Sequence, residues 1–358
     1  MTMPAVLGII ANPMSGRDIR RLVAQASVFP NAEKANMALR IIAAAGAVGV
    51  GRILMSTDTF GLAAAVRRGI ERHDVDRHGV TGPAVEFCEL APATGTADDT
   101  KALVRRMRAA GAGVIALLGG DGTVRAAAAE VGDTPIVALS TGTNNVFPQT
   151  WEATVAGCAA GLVATGRVAA AAVTDRAKLL RVTCGTRTEI AVVDVCVGTT
   201  VHTGAKAVWQ VAALRELYCA FAEPHAIGLS SIAGQLRPVP RYHPGGVAVW
   251  LGGDARTVLA PVAPGLLAPV GVRDVSALAI GERRRSRVAA GTVAVDGERE
   301  IEFGPADPVT VALTVDGPRV VDIARTLRLA ADDGLLTRTT SREVQYDRNT
   351  LHRRHART

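Results

Sequence analysis

Aromatic residues are scarce in this chain. They make up 3% of its 358 residues, which leaves few platforms for stacking bases and argues against binding single-stranded nucleic acid. Lysine is nearly missing as well: of 40 basic residues only Lys34, Lys101, Lys178 and Lys206 are lysines. None of the four follows a glycine, so the chain holds no Walker A loop ending in Gly-Lys-Ser/Thr. The five cysteines, at 88, 158, 184, 196 and 219, are far apart and form no C-x-x-C pair. Such spacing supplies neither a zinc site nor a disulfide framework, and it fits a reducing cytoplasm where a free thiol packs as a small hydrophobe. No apolar run has the length of a transmembrane helix. The opening MTMPAVLGIIANP has too short an apolar run, and no basic flank, for a secretory signal.

What is present is a chain 48% apolar, dominated by small aliphatic residues and long enough for two cores. Its formal net charge is +7, spread thinly except at Arg283-Arg284-Arg285 with Arg287 and at the extreme C-terminus. Dispersed positive charge suits small anionic ligands or simply a solvated surface. Neither nucleic-acid binding nor stable membrane association is expected from it.

The first part of the chain alternates short aliphatic runs with helical stretches. Strands are expected at Ala5–Ala11, Arg52–Met55, Ala84–Leu90, Val114–Leu118 and Pro135–Leu139. Helices are expected at Asp18–Ser27, at Ala32–Ala45 with Asn31 as N-cap, and at Phe60–Arg72 capped by Thr57 or Asp58. Two more follow at Asp98–Ala110 and Thr123–Val131. Repeated β-α units imply a parallel sheet covered by helices, with ligands collecting at the carboxyl ends of its strands. Beyond Gln149 a helix is expected at Glu152–Ala164, strands at Leu179–Cys184 and Ile190–Val197, and a helix at Ala205–Phe221. The segments Gly291–Glu298 and Val309–Val315 alternate and are bounded by Asp-Gly turns, as hairpins are. The expectation is therefore an α/β domain with a parallel sheet over 1–148 and a β-rich, sandwich-like domain over 149–325. A C-terminal helix and polar tail would occupy 326–358.

Three short stretches each follow an expected strand: Asn12-Pro13-Met14-Ser15-Gly16-Arg17, Gly119-Gly120-Asp121-Gly122-Thr123 and Ser140-Thr141-Gly142-Thr143-Asn144-Asn145. Parallel strands would bring all three to one edge of the sheet. Glycines there let successive N–H groups approach an anion, Ser15, Thr123, Thr141 and Thr143 add hydroxyl donors, and a helix start adds its dipole. Together they describe a polyphosphate cradle. Asp121 is the odd member, because a carboxylate repels phosphate unless it holds a metal or accepts the proton of an attacking hydroxyl. A dinucleotide fingerprint over Gly111–Ala116 matches by letters only, since it precedes a strand instead of following one.

The set Asn-Pro-x-Ser-Gly, Gly-Gly-Asp-Gly-Thr and Gly-Thr-x-Asn, in this order, resembles the superfamily of NAD kinases, diacylglycerol kinases and sphingosine kinases. Val295-Asp296-Gly297-Glu298 is similar to the Asp-Gly-Glu of its later β-rich domain, and STGTNNVFP (140–148) looks most like the ATP–NAD kinase group that includes the acetoin-catabolism protein X branch. The resemblance implies an active site in the cleft between two domains. It implies that Gly119, Gly120, Gly122 and Thr123 contact nucleotide phosphates, and that Asn12, Ser15, Gly16, Thr141, Gly142, Thr143 and Asn144 line the nucleotide side. Asp121 would be catalytic, and Asp296 with Glu298 would bind metal or support catalysis. The expected activity is transfer of phosphoryl from ATP, with Mg²⁺, to NAD or a related hydroxyl compound, forming NADP where NAD accepts. A homo-oligomer is expected. The chain departs from NAD kinases in lacking their Thr-Gly-Ser-Thr-Ala-Tyr stretch and a clear Asn-Glu or Asn-Asp pair. Lipid kinases usually carry Asn where Asp194 falls. A lipid kinase and a catalytically silent nucleotide sensor therefore stand as alternatives.

Overall fold

The computed structural model describes residues 4–16, 29–76, 82–142, 144–200, 211–253 and 256–337. The expected helix Asp18–Ser27, Thr143 and the end of the tail lie outside them. Five parallel strands follow the β-α grammar: β1 (Val6–Ala11), β2 (Arg52–Ser56), β3 (Ala84–Cys88), β4 (Ala112–Gly119) and β5 (Ile136–Ser140). They sit in the order β3-β2-β1-β4-β5, so the chain reverses its direction of travel across the sheet between β1 and β4. In an open α/β sheet this reversal opens a crevice at the strands' carboxyl ends.

Helices α1 (Asn31–Ala47), α2 (Leu62–Asp76) and α5 (Ala153–Ala164) share a core on one face of the sheet. Helices α3 (Ala97–Ala109) and α4 (Asp121–Ala128) cover the other. Local chemistry explains several ends. Asp58 caps α2 by accepting the amides of Leu62 (3.1 Å) and Ala63 (2.7 Å), while Thr57 bonds to the Cys88 carbonyl. Asn31 is the first residue of α1 and not its cap; its side-chain oxygen receives the Lys34 ammonium at 3.1 Å. α4 starts at Asp121, two residues before the expected Thr123, so the acidic residue lies in the first helical turn.

After a short helix α6 (Ala170–Val173) comes β6 (Thr174–Arg176), and the chain then builds two antiparallel sheets. One contains β7 (Leu179–Cys184) and β8 (Arg187–Ala191), joined by β14 (Arg283–Arg285) and β17 (Val309–Thr314). The other holds β9 (Asp194–Gly198), β10 (Leu214–Cys219), β11 (Gly246–Leu251), β12 (Thr257–Ala263) and β13 (Leu266–Leu278), closed by β15 (Gly291–Val295) and β16 (Glu298–Phe303). Valines and leucines of both sheets meet in one core, continuous with the α3–α4 side of the first sheet. Helix α7 (Ser230–Leu236) packs on the far side. The chain finally returns to the first sheet. β18 (Arg319–Val321) pairs in parallel with β5 and antiparallel with β6, and α8 (Ile323–Asp332) joins the α1–α5 core. α5, β6, β18 and α8 are thus elements of the first layer although they follow residue 148.

Two further expectations are corrected. The stretch Ala205–Phe221 is not a helix where it is described: a 3₁₀ turn at Val211–Ala213 leads into β10, a central strand buried on both faces. Its Leu-Arg-Glu-Leu composition favours a helix, but pairing with β9 and β11 overrides propensity. The single strand Ile190–Val197 is two strands. β8 belongs to the smaller sheet and β9 to the larger, and the chain turns the corner at Val192-Val193.

Candidate active site

The three glycine- and hydroxyl-bearing turns do converge. They leave the carboxyl ends of β1, β4 and β5, which are adjacent strands. The Asn12 amide donates to the Leu118 carbonyl at 2.9 Å, and the Thr141 amide to the Gly119 carbonyl at 3.0 Å, so each turn is zipped to its neighbour. Side chains complete the network. Asn12 Nδ2 donates to Thr123 Oγ1 at 2.9 Å, and the Ser15 and Thr141 hydroxyls are 2.9 Å apart. Because Thr123 accepts from Asn12, its own proton is free to point at an acceptor. A Cβ at Gly16 would lie 3.2 Å from the Thr141 carbonyl, so the first turn presses directly on the third.

The glycines have a packing role of their own. A Cβ at Gly120 would lie 2.6 Å from Asn145 Oδ1, and one at Gly142 2.5 Å from the same side chain. Asn145 Nδ2 donates to Ser140 Oγ at 2.9 Å, which seats this amide between the second and third turns. At Gly122 a side chain would instead meet the carboxylate oxygens of Glu298, both at 3.9 Å. The start of α4 has no side-chain cap, leaving its first N–H groups and the positive end of its dipole without a side-chain anion from a capping residue.

Asp121 is 8% exposed, and its carboxylate accepts the Phe147 amide at 2.7 Å and the Val146 amide at 3.1 Å. Arg241, from the loop before β11, takes the other side of the same peptides. Its Nη1 donates to the Phe147 carbonyl at 2.6 Å and its Nη2 to the Val146 carbonyl at 2.7 Å. The guanidinium lies between the rings of Phe147 and Phe221, 5.0 and 4.5 Å from their centroids. Burial lowers the Arg241 pKa, and the charges around it, Asp121 among them, work in the opposite direction. An acid of the first domain and a base of the second therefore grip one stretch of backbone, just after the third turn.

The Asp-Gly-Glu stretch lies across the same edge. Asp296 and Gly297, with φ of 50° and 77°, form the two-residue turn between β15 and β16, and Val295 pairs with Glu298. The Asp296 carboxylate is buried and accepts amides from Val193 (2.8 Å), Val192 (3.2 Å) and Asp194 (3.3 Å). Those are the amides freed where the chain changes sheets, so Asp296 satisfies the corner. Arg125 of α4 reaches over to Glu300 at 2.9 Å, Glu298 at 3.3 Å and Asp296 at 4.0 Å. Burial opposes the Arg125 cation, but the three carboxylates outweigh it and raise its pKa. Burial also pushes the Asp296 carboxyl up to about 7, with Arg125 pulling against it and Asp121 adding to the rise.

Asn144 is buried against Gly228, and its Oδ1 has no hydrogen-bond partner among the described residues. A cleft of about 390 Å³ adjoins Asn145, between Gln149-Thr150-Trp151 and the Glu223–Ile227 loop. Magnesium usually keeps several waters and takes one or two carboxylates together with substrate phosphates. Glu298, beside Gly122 with its side chain 39% exposed, suits that role. No group of three His, Cys, Asp or Glu side chains among the described residues forms a protein-only metal cage. Sequence reasoning missed Lys34, Arg125, Asn145 and Arg241. Asn145 alone had a signal, as the last residue of Gly-Thr-x-Asn.

The first part of the chain has the fold of a kinase-type domain. Residues 7–168 match the model of the ATP-NAD kinase N-terminal domain, and residues 178–316 match that of the acetoin catabolism protein X C-terminal domain. Over 339 residues the chain is 42% identical to acetoin catabolism protein X of Cupriavidus necator, covering 92% of this chain and 94% of that protein. The chain belongs to the acetoin catabolism protein X family. Among the described residues no helix is long and apolar enough to cross a membrane.

Proposed function

We propose that the protein transfers a phosphoryl group from ATP to the hydroxyl of a small polar acceptor, with NAD as the first candidate and NADP as its product. The observation that carries this reading is the union of Asn12, Ser15, Thr123 and Thr141 in one hydrogen-bonded cluster at the uncapped start of α4. Dipole, amides and hydroxyls there converge where a polyphosphate would sit. Gly122 opens toward Glu298, which would share Mg²⁺ with the phosphates; the metal supplies charge neutralisation of the transferring group. In the transfer, the acceptor oxygen bonds to the γ-phosphorus, the bond to the bridging oxygen breaks, ADP leaves, and the hydroxyl proton passes to Asp121. The cleft beside Asn145 is lined by Asn145, Gln149, Thr150, Glu223, His225 and Arg241 together with Val146, Trp151, Ala226 and Ile227, so it offers hydrogen-bonding groups to a polar acceptor beside an apolar wall. The name of the Cupriavidus relative refers to acetoin catabolism, so acetoin, itself a hydroxyl compound, belongs in the acceptor panel.

A second reading is favoured by Asp121 itself. Its two amide bonds suit a sensor in which nucleotide binding is kept and turnover is absent. Incubating the protein with ATP, Mg²⁺ and NAD, with acetoin in parallel, separates the two. A kinase forms ADP and phosphorylated acceptor, and Asp121→Asn lowers the rate by about 10²–10⁴-fold, the usual scale for a lost general base. Stabilisation by ATP without ADP supports the sensor, and the absence of both sinks the cradle.

A further inference from the structure

Lys34 is one of four lysines in a chain whose other 36 basic residues (40 − 4) are arginines. It lies on α1, is 0% exposed, and sits beneath the Asn12–Gly16 turn. Its ammonium donates to the carbonyls of Ser15 (2.8 Å), Asn12 (2.9 Å) and Pro13 (3.3 Å) and to Asn31 Oδ1 (3.1 Å). Such a convergent set of oxygens requires a compact head with donors that point in several directions. A planar guanidinium fork does not meet that requirement. Because a trans peptide directs its N–H opposite to its C=O, drawing the Ser15 carbonyl down onto Lys34 turns the Gly16 N–H away from it. The same pull seats Ser15 Oγ against Thr141 and Asn12 Nδ2 against Thr123.

We propose that Lys34 is a positioning residue for polyphosphate. Its buried cation orients the first turn of the cradle and places a full positive charge one layer behind the phosphate site. The proposal rests on the reading of the cradle given above, and it predicts an effect that scales with ligand charge. A residue that only props up the fold would weaken every ligand by the same factor. A charge behind the phosphates weakens ATP more than ADP, and ADP more than AMP.

The test is calorimetric titration of the full chain with AMP, ADP, ATP and inorganic tripolyphosphate, using the wild type, Lys34→Met and Lys34→Arg. Lys34→Met is expected to weaken ATP and tripolyphosphate at least 30-fold and AMP less than 5-fold. Lys34→Arg, which keeps the charge but not the geometry, should retain the steeper dependence on phosphate number. If Lys34→Met does not fold, Asn31→Ala removes one of the ammonium's acceptors and should weaken tripolyphosphate about threefold or more. Equal factors for all ligands, or affinities within twofold of wild type in the folded variant, overturn the role of Lys34 alone. A wild type that binds neither ATP nor tripolyphosphate overturns the cradle, and the proposal with it.

Discussion

Replacing Arg241 by methionine removes the second domain's hold on the Val146-Phe147 backbone while keeping an apolar stem between Phe147 and Phe221. The loss can be sized from the two bonds. Each is a charge-assisted hydrogen bond, at 2.6 and 2.7 Å, worth about 1.5–3 kcal/mol. Part of that returns, because the wild-type guanidinium is held against the cost of burial that lowers its pKa. A net local loss of about 2–4 kcal/mol follows, and at about 1.4 kcal/mol per tenfold this is roughly 30- to 700-fold. The Val146 and Phe147 amides are themselves bound to Asp121, so they exchange with solvent only when the loop lets go. Hydrogen–deuterium exchange of a peptide covering 144–151 should therefore accelerate by that factor, while β7 keeps its protection. Asp121→Asn should accelerate the same peptide. The double variant should fall short of the sum, because both side chains hold one segment. Exchange within threefold of wild type at 144–151, or equal acceleration throughout the molecule, would refute the grip.

Asp296 sets a pH dependence of known sign. Its pKa is raised from an ordinary 3.8 to about 7, so between those values the folded protein keeps a proton that the unfolded chain has lost. Stability contributed by this group is present below about pH 4 and is lost as pH rises toward about 7. Asp296→Asn should flatten that part of the profile in urea titrations at pH 4.5 and 7.5; parallel slopes would show that another group dominates. Gly157→Ala should destabilise by about 1–3 kcal/mol despite the better helix propensity of alanine. The new Cβ would lie 2.7 Å from Ile41 Cα and 2.9 Å from its carbonyl oxygen, and neither backbone atom can move aside alone. Gly304→Ala, with nothing within 4 Å, serves as the neutral control in thermal unfolding.

The first sheet was readable because its signals are local. Val6–Ala11 and Val114–Leu118 are aliphatic runs closed by turn residues, and periodicity alone identifies such segments. The convergence of the three turns followed from parallel strands, and needed no knowledge of side-chain partners. β10 was hidden because its residues favour a helix, and only its place between β9 and β11 decides otherwise. Lys34 and Arg241 were hidden for a different reason. Each lies far in sequence from the backbone that it holds, and isolated basic residues carry no pattern. Asp296 was visible as part of an Asp-Gly turn, but its three amide partners exist only because the chain changes sheets at Val192-Val193.

The return of β18 to the first sheet bears on how the chain is made. Residues 177–318 leave and re-enter through neighbouring strands, and the crossing is pinned where the Ala177 amide meets the Pro318 carbonyl at 3.0 Å. In a polypeptide emerging from its N-terminus, the Gln149 backbone bonds β5 at Ala138 and Ser140 on that edge, but Ile136 gains its partner there only once Arg319–Val321 has been synthesised, and β6 waits with it. The first sheet is thus an interrupted unit whose completion is delayed by the whole of the insert. During that interval the part of the β5 edge around Ile136 is unpaired, the kind of strand edge that invites mispairing in a nascent chain.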